Sequence, residues 1–250
     1  MKNKQFYAPN IQTWRKVLVG SDVHGAQRSP HAWKVFSEFA KDFKAAEVIA
    51  LGDWGDFDWA SSLPTESTLE AEEEYELINS LIDEVGVTVY LEGNHEERVT
   101  RYAGTVSPLI RSLLDVRKNL SLSKRGIKYI PYNGGGGVYR VGKMSMLHGF
   151  YTADLAAKPH AIAYGCCVFG HTHRVQTYSP KHAFVKTTGF NIGCLCNLRL
   201  PWCKTMGPNG WMNGFFYAYV RRNGQFSPYS ARLVGGEYVI EGNVYPKEVK

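Results

Sequence analysis

Five short polar clusters along this chain combine carboxylates, imidazoles and glycines. They are Asp22-Val23-His24-Gly25, Gly52-Asp53-Trp54-Gly55-Asp56, Gly93-Asn94-His95-Glu96, His148-Gly149 and Gly170-His171-Thr172-His173. Five of the eight histidines fall within them. Carboxylate oxygen and imidazole nitrogen together suit divalent ions such as Mn, Fe and Zn. In an extended segment alternate residues project to the same side, so Asp22/His24 and His171/His173 could each present two side chains to one ion. The glycines allow the backbone to turn sharply beside such a site. Taken singly, a Gly-Asp or His-Gly dipeptide is usually a turn, and a single Asp-x-His is more often a polar loop. The joint occurrence carries the signal.

The clusters need elements to position them, and apolar runs precede them. Residues 16–20, 47–51 and 87–91 read as buried strands, ending at Asp22, Asp53 and Asn94 respectively. Residues 32–46 and 68–85 carry apolar side chains at helical spacing. Residues 97–125 read as interrupted helix, with Pro108 near a start. Alternation of strand and helix points to a βαβ arrangement with a largely parallel sheet. In such sheets ligands bind beyond the carboxyl ends of the strands, so the clusters should share one rim. Further on, residues 138–141, 144–147, 168–169, 175–178 and 184–187 are candidate strands, interrupted by a helix over 152–164. Residues 215–221, the turn Asn223-Gly224 and the return over 231–234 read as a hairpin. The glycine run 134–137 lacks the Lys-Ser/Thr of a phosphate cradle and reads as a turn.

Composition bounds the rest. The chain has 250 residues, 44% of them hydrophobic, enough for a sizeable core. No apolar stretch is long enough to span a bilayer. The N-terminal residues lack the apolar core of a signal peptide, which suggests a cytoplasmic protein. A net charge of +6 favours an anionic substrate. The acidic run 70–76 reads as the wet face of a helix. The five cysteines, Cys166, Cys167, Cys194, Cys196 and Cys203, read as reduced thiols; their spacing lacks the usual zinc-knuckle pattern.

With these residues in view, the chain resembles the calcineurin-like metallophosphoesterases. Their signature, D-x-H, G-D, G-N-H-[DE], H and G-H-x-H in that order, stands here as SDVHG, LGDWGD, EGNHE, LHG and FGHTH. Asn191-Ile192-Gly193 resembles the family's following N-x-G. The resemblance implies an α/β fold of two stacked mixed sheets flanked by helices, a four-layer sandwich. Motifs would lie within 21–193 of one domain spanning 1–250, with 194–250 as its extension. It also implies two divalent metal ions, manganese foremost, with iron, zinc, nickel or magnesium as alternatives. Asp22, His24, Asp53 and His173 would hold one ion. Asp53, Asn94, His148 and His171 would hold the other, with Asp53 bridging. His95 would face the substrate as general acid or charge donor.

The implied activity is hydrolysis of a phosphomonoester or phosphodiester by a metal-bridging hydroxide. Two metals lower the pKa of bound water and neutralise the phosphoryl oxygens, and a nearby imidazole can protonate the leaving oxygen. Asp56 matches the second carboxylate of the phosphoprotein phosphatases' GDxxD run, where it orients the catalytic imidazole; it could equally be a turn residue. Phe57 stands where that branch has a phosphate-clamping Arg, which argues against protein phosphatase activity. Arg98 and Arg174 are the candidate substrate clamps, or else surface ion pairs. Past Cys194 the chain is aromatic and basic, with Trp211, Arg199 and Lys204. That composition fits core strands plus a loop, or a surface for single-stranded nucleic acid. A nuclease or nucleic-acid-end-processing enzyme and a non-catalytic metal-binding scaffold are the alternative functions.

Overall fold

The computed structural model describes residues 14–62, 69–181, 184–200 and 209–247. Cys203, Lys204 and the start of the expected 68–85 helix lie outside them. Two mixed sheets stack face to face, with helices on both outer sides. The first sheet runs, from edge to edge, β11 (Phe226–Leu233), β10 (Asn213–Val220), β1 (Arg15–Gly20), β2 (Glu47–Leu51), β3 (Val89–Leu91) and β4 (Lys128–Ile130). Strands β1 to β4 are mutually parallel, while β10 and β11 form an antiparallel hairpin on the β1 side. The second sheet runs β5 (Tyr139–Val141), β6 (Met144–Met146), β7 (Cys167–Phe169), β9 (Gly189–Ile192) and β8 (Val175–Tyr178). Its centre, β6-β7-β9, is parallel.

Strand β1 shows why the runs are apolar throughout. Val17 and Val19 face the second sheet, packing with Val141, Met144, Met146, Val168 and Ile192. Leu18 faces the opposite way, into a layer with Phe36 and Phe39 of α1 (Pro30–Phe43) and Ile78 of α2 (Ala71–Val85). A strand covered on both faces has no polar side to alternate with. Helix α1 starts at Ser29, whose hydroxyl caps the Ala32 N–H, and at Pro30, which is pre-shaped for the first turn. The outer face of the second sheet is covered by α6 (Ala157–Tyr164). No helix among the described residues is long and apolar enough to cross a membrane.

Several expectations are corrected. The helix expected over 152–164 begins only at Ala157. No strand forms at 184–187, where Phe184 and Val185 are exposed. The sheet takes up Gly189–Ile192 instead, because a Cβ at Gly189 would press on the Ala157 carbonyl; the glycine lets β9 slide under α6. The interrupted stretch 97–125 resolves into α3 (Asn94–Ala103), α4 (Pro108–Arg111) and α5 (Val116–Asn119).

Helix α6 carries a buried histidine with an acid-stability consequence. The His160 ring stacks on Phe169 at 3.8 Å between centroids. Its Nδ1 donates to the Ala156 carbonyl at 2.8 Å, and its Nε2 accepts from Phe150 N–H at 3.3 Å. Burial lowers it from 6.5 to about 4. The folded value lies below the unfolded one, so its stabilisation is present above pH 6.5 and is lost as pH falls toward 4. The loss should reach about 3 kcal/mol. The unfolding free energy from urea titration should fall between pH 7 and 4.5 by about 2 kcal/mol more in the native protein than in His160→Gln; an equal acid loss in both proteins would refute the assignment.

Candidate metal centre

Parallel strands β1, β2 and β3 of one sheet and β6 and β7 of the other end at a common rim. Loops leaving them bring together Asp22, His24, Asp53, Asn94, His95, His148, His171 and His173. The backbone there is not extended, contrary to expectation. Asp22, His24, Asp53, His171 and His173 all adopt positive φ, between 52° and 67°. Side chains therefore converge through tight left-handed turns, a conformation uncommon outside glycine and concentrated at functional sites. Two glycines admit the close approach: a Cβ at Gly93 would collide with the Asp53 carboxylate, and one at Gly170 with Ser21 and Asp22.

The ligand-type atoms form two groups that meet at Asp53, and Sγ of Cys196 lies within 4.8 Å of ligand atoms of His24 and His173. On one side His24 Nε2 lies 3.2 Å from His173 Nε2, which lies 3.2 Å from Asp22 Oδ1. On the other, His148 Nε2 lies 3.1 Å from Asn94 Oδ1 and 3.2 Å from Asp53 Oδ2. Asp53 lies within 4.8 Å of ligand atoms of His24 and His95, and likewise of His148 and His171. The outer nitrogens are committed elsewhere. His24 Nδ1 is bound to Asp56 Oδ1 at 3.0 Å, and His148 Nδ1 donates to the Leu51 carbonyl at 2.9 Å. Both rings are thereby fixed with Nε2 inward, as second partners orient a ligating imidazole.

The electrostatics favour a cation at the centre. Burial alone would raise Asp22 and Asp53, but the imidazoles of His173 and His148 outweigh it and hold both carboxyls low, Asp53 well below the ordinary range. Burial opposes charge on His148 and His173 too, yet Asp53 and Asp22 lift them to about 10 and about 9. His171 is different: burial, with the His148 charge beside it, lowers it to about 4, which leaves a neutral nitrogen available to a metal. Buried oxygen and imidazole donors in this mixture fit a divalent transition ion.

His95 sits at the edge of this group. Its Nδ1 is 3.0 Å from Asp56 Oδ1 and 2.9 Å from the Asp56 carbonyl. Its Nε2 faces Asp53 Oδ2 at 3.9 Å and Arg98 Nη2 at 3.1 Å. Burial opposes its charge, but Asp53 and Asp56 raise it above the ordinary value. Asp56 therefore contacts both His24 and His95. Arg98 also donates to the Asp56 carbonyl and to Asp58. Arg174 is placed differently. It bonds Asp154 and the Asn209 carbonyl, and none of its described hydrogen bonds reaches the cluster.

The family model described as calcineurin-like phosphoesterase matches residues 15–175. The chain belongs to this family. Among curated proteins none matches it. Similar solved structures include Vacuolar Protein Sorting 29 from Cryptosporidium parvum, 13% identical over 89% of this chain and 100% of that one, TM-score 0.45. YfcE, a phosphoesterase from E. coli, is 16% identical over 86% and 98%, TM-score 0.38. Chaetomium thermophilum Vps29 is 10% identical over 87% and 97%, TM-score 0.42.

Two glutamates of this calcineurin-like phosphoesterase escaped the sequence reading. Glu96, fully buried, accepts hydrogen bonds from the backbone N–H groups of Asp53, Trp54 and Gly93 at 2.8–3.0 Å and from the Tyr90 hydroxyl at 2.8 Å. It fastens the Asp53 turn to the start of α3. Glu74 accepts from the N–H groups of Asp56 and Phe57 and from Trp59. It is buried, the exception within residues 70–76, where Glu70, Glu72, Glu73 and Glu76 are exposed as a wet helix face should be. The signal was available: Glu74 falls on the same helical stripe as Ile78, Leu81 and Val85. Burial raises its carboxyl, against its backbone donors. Glu96→Gln would turn an NH₂ toward two of these donors. Each unsatisfied buried group costs about 1–3 kcal/mol, so a loss of about 3 kcal/mol is expected in urea unfolding. A loss below about 1 kcal/mol would show that Glu96 is dispensable to the turn.

Proposed function

We propose that this family member hydrolyses phosphate esters with two divalent metal ions. The observation that carries this is the position of Asp53, within ligand range of two separate imidazole groups. Asp22, His24, Asp53 and His173 would hold one ion, and Asp53, Asn94, His148 and His171 the other. Bound there, the ions would activate water at neutral pH and neutralise phosphoryl oxygens. Manganese is the first candidate on the family resemblance; the carboxylates suit it, and the imidazoles suit iron, zinc or nickel as well.

The chain's own groups divide the remaining work. His95, held at Nδ1 by Asp56, directs Nε2 to the site; with the Arg98 guanidinium, 3.1 Å from that nitrogen, turned to a phosphoryl oxygen, Nε2 can carry a proton and give it to the departing oxygen. Arg98 brings guanidinium donors to the same edge and can pair with a phosphoryl oxygen. The carboxylates of Asp53 and Asp56 favour the protonated imidazole that an acid requires. We assign the protein to the cytoplasm; its four described cysteines are free thiols, which fits a reducing compartment.

The test uses purified full-length protein, stripped of metal and reconstituted with Mn²⁺. Turnover of p-nitrophenyl phosphate or bis-p-nitrophenyl phosphate should depend on the metal, and the preference between them separates monoesterase from diesterase. Oligonucleotides at low salt test a nuclease, whose binding would weaken with salt. Tight Mn²⁺ binding with no hydrolysis of any of these would favour a scaffold.

A further inference from the structure

Cys196 lies beyond the residues that match the family and is fully buried. Its Sγ is 3.8 Å from Nδ1 of His173, while Nε2 of the same ring faces His24 and Asp22. An imidazole that binds a cation through one nitrogen carries its proton on the other, and that N–H needs an acceptor. We propose that Cys196 is a positioning residue for the metal centre, its sulfur accepting the His173 Nδ1–H and so fixing Nε2 toward the ion. The inference rests on the two-metal reading above.

The backbone around the sulfur is pinned to the loop that carries the ligands. Leu195 N–H donates to the carbonyls of Ser21 and Asp22, both at 3.1 Å, and Asn197 N–H to the Gln27 carbonyl at 2.8 Å. Cys196 also pairs with Arg28 as an isolated antiparallel bridge. Asn213 Nδ2 donates to the Cys196 carbonyl at 2.7 Å. Trp211 closes against His173, with ring centroids 4.2 Å apart. Cys194, two residues earlier, sends its thiol to the Met212 carbonyl at 3.6 Å. The two imidazoles of this half-site thus have unlike outer partners: the Asp56 carboxylate behind His24 and a sulfur behind His173. Sulfur is the weaker hydrogen-bond acceptor of the two.

Mn²⁺ affinity of the full-length protein tests this, measured by titration for the native chain, Cys196→Ala, Cys196→Ser and Cys194→Ala. Loss of such a partner typically weakens a metal site by about 10–100-fold. Cys196→Ala should show that loss at one of two sites, Cys196→Ser should recover most of it through its hydroxyl, and Cys194→Ala, which removes a side-chain partner of Cys196 but not the sulfur behind His173, should lose less than Cys196→Ala. A second readout is independent of the variants: in Zn²⁺-loaded native protein, imidazole ¹⁵N NMR should find His173 bound through Nε2 with a slowly exchanging Nδ1–H. His173 bound through Nδ1, or Cys196→Ala binding both ions with native affinity, overturns the assignment and leaves the two-metal reading standing. Native protein that binds no metal overturns both.

Discussion

Asp53→Asn should lose more activity than any other single substitution in the site. Asp53 accepts the His95 N–H at 2.9 Å through one oxygen and faces His148 at 3.2 Å through the other. An amide would keep the shape, lose the charge that holds two imidazole groups to one centre, and set an NH₂ against a donor. Losing several kcal/mol of charge stabilisation is about 10³-fold in rate. Metal analysis after reconstitution should fall from two ions per chain to one or fewer. Retention of both ions with native turnover would remove Asp53 from its bridging role.

His95→Asn should separate chemistry from coordination. Metal content should stay near native, because Nδ1 is taken by Asp56 and Nε2 faces the Arg98 guanidinium at 3.1 Å. Removing a general acid costs about 10²–10⁴ in rate. The loss should be larger for an alkyl phosphate than for p-nitrophenyl phosphate, whose leaving group needs little protonation. The pH profile should change with it. The acid must be protonated, so activity falls as pH rises through its pKa, and the carboxylates that raise His95 above its ordinary value, against burial, extend that limb to higher pH. Asp56→Asn should draw the limb back toward neutrality. Equal losses for alkyl and aryl esters would reassign His95 to binding phosphoryl oxygens.

The strand-end clusters made most of the centre legible, because metal-binding chemistry restricts residue types and parallel strands deliver their ends to one rim. The parallel strands β1 to β3 followed from apolar runs that are buried on both faces, as at Val17–Val19, while the pair of stacked sheets was implied by the family resemblance. What stayed hidden depends on contacts between distant segments. Glu74 read as part of a wet helix face and Glu96 as a motif position without a role, yet their donors are backbone N–H groups up to 43 residues away, which no local pattern records. The left-handed turns at Asp22 and His24 were hidden for a similar reason: the backbone is set by hydrogen bonds from Asp22 and His24 N–H to Gly52 and Asp53 carbonyls, not by residue type. Phe184–Thr187 misled because an apolar triplet reads as a strand whether or not the fold has a place to bury it.

The place of β10 sets an order of events during synthesis. Val17 of β1 pairs with Ala218 of β10, so one edge of β1 stays open until β10 has been made. At about 5–20 residues per second the ribosome leaves that edge exposed for some ten seconds or more. An unpaired strand edge is a template for pairing with another chain. The strap that backs His173 is translated in the same late interval, from Cys194 to Asn213. The nascent protein should therefore acquire tight metal binding only once Asn213 has cleared the ribosome, and chains arrested before it should aggregate rather than accumulate as a smaller metalloprotein.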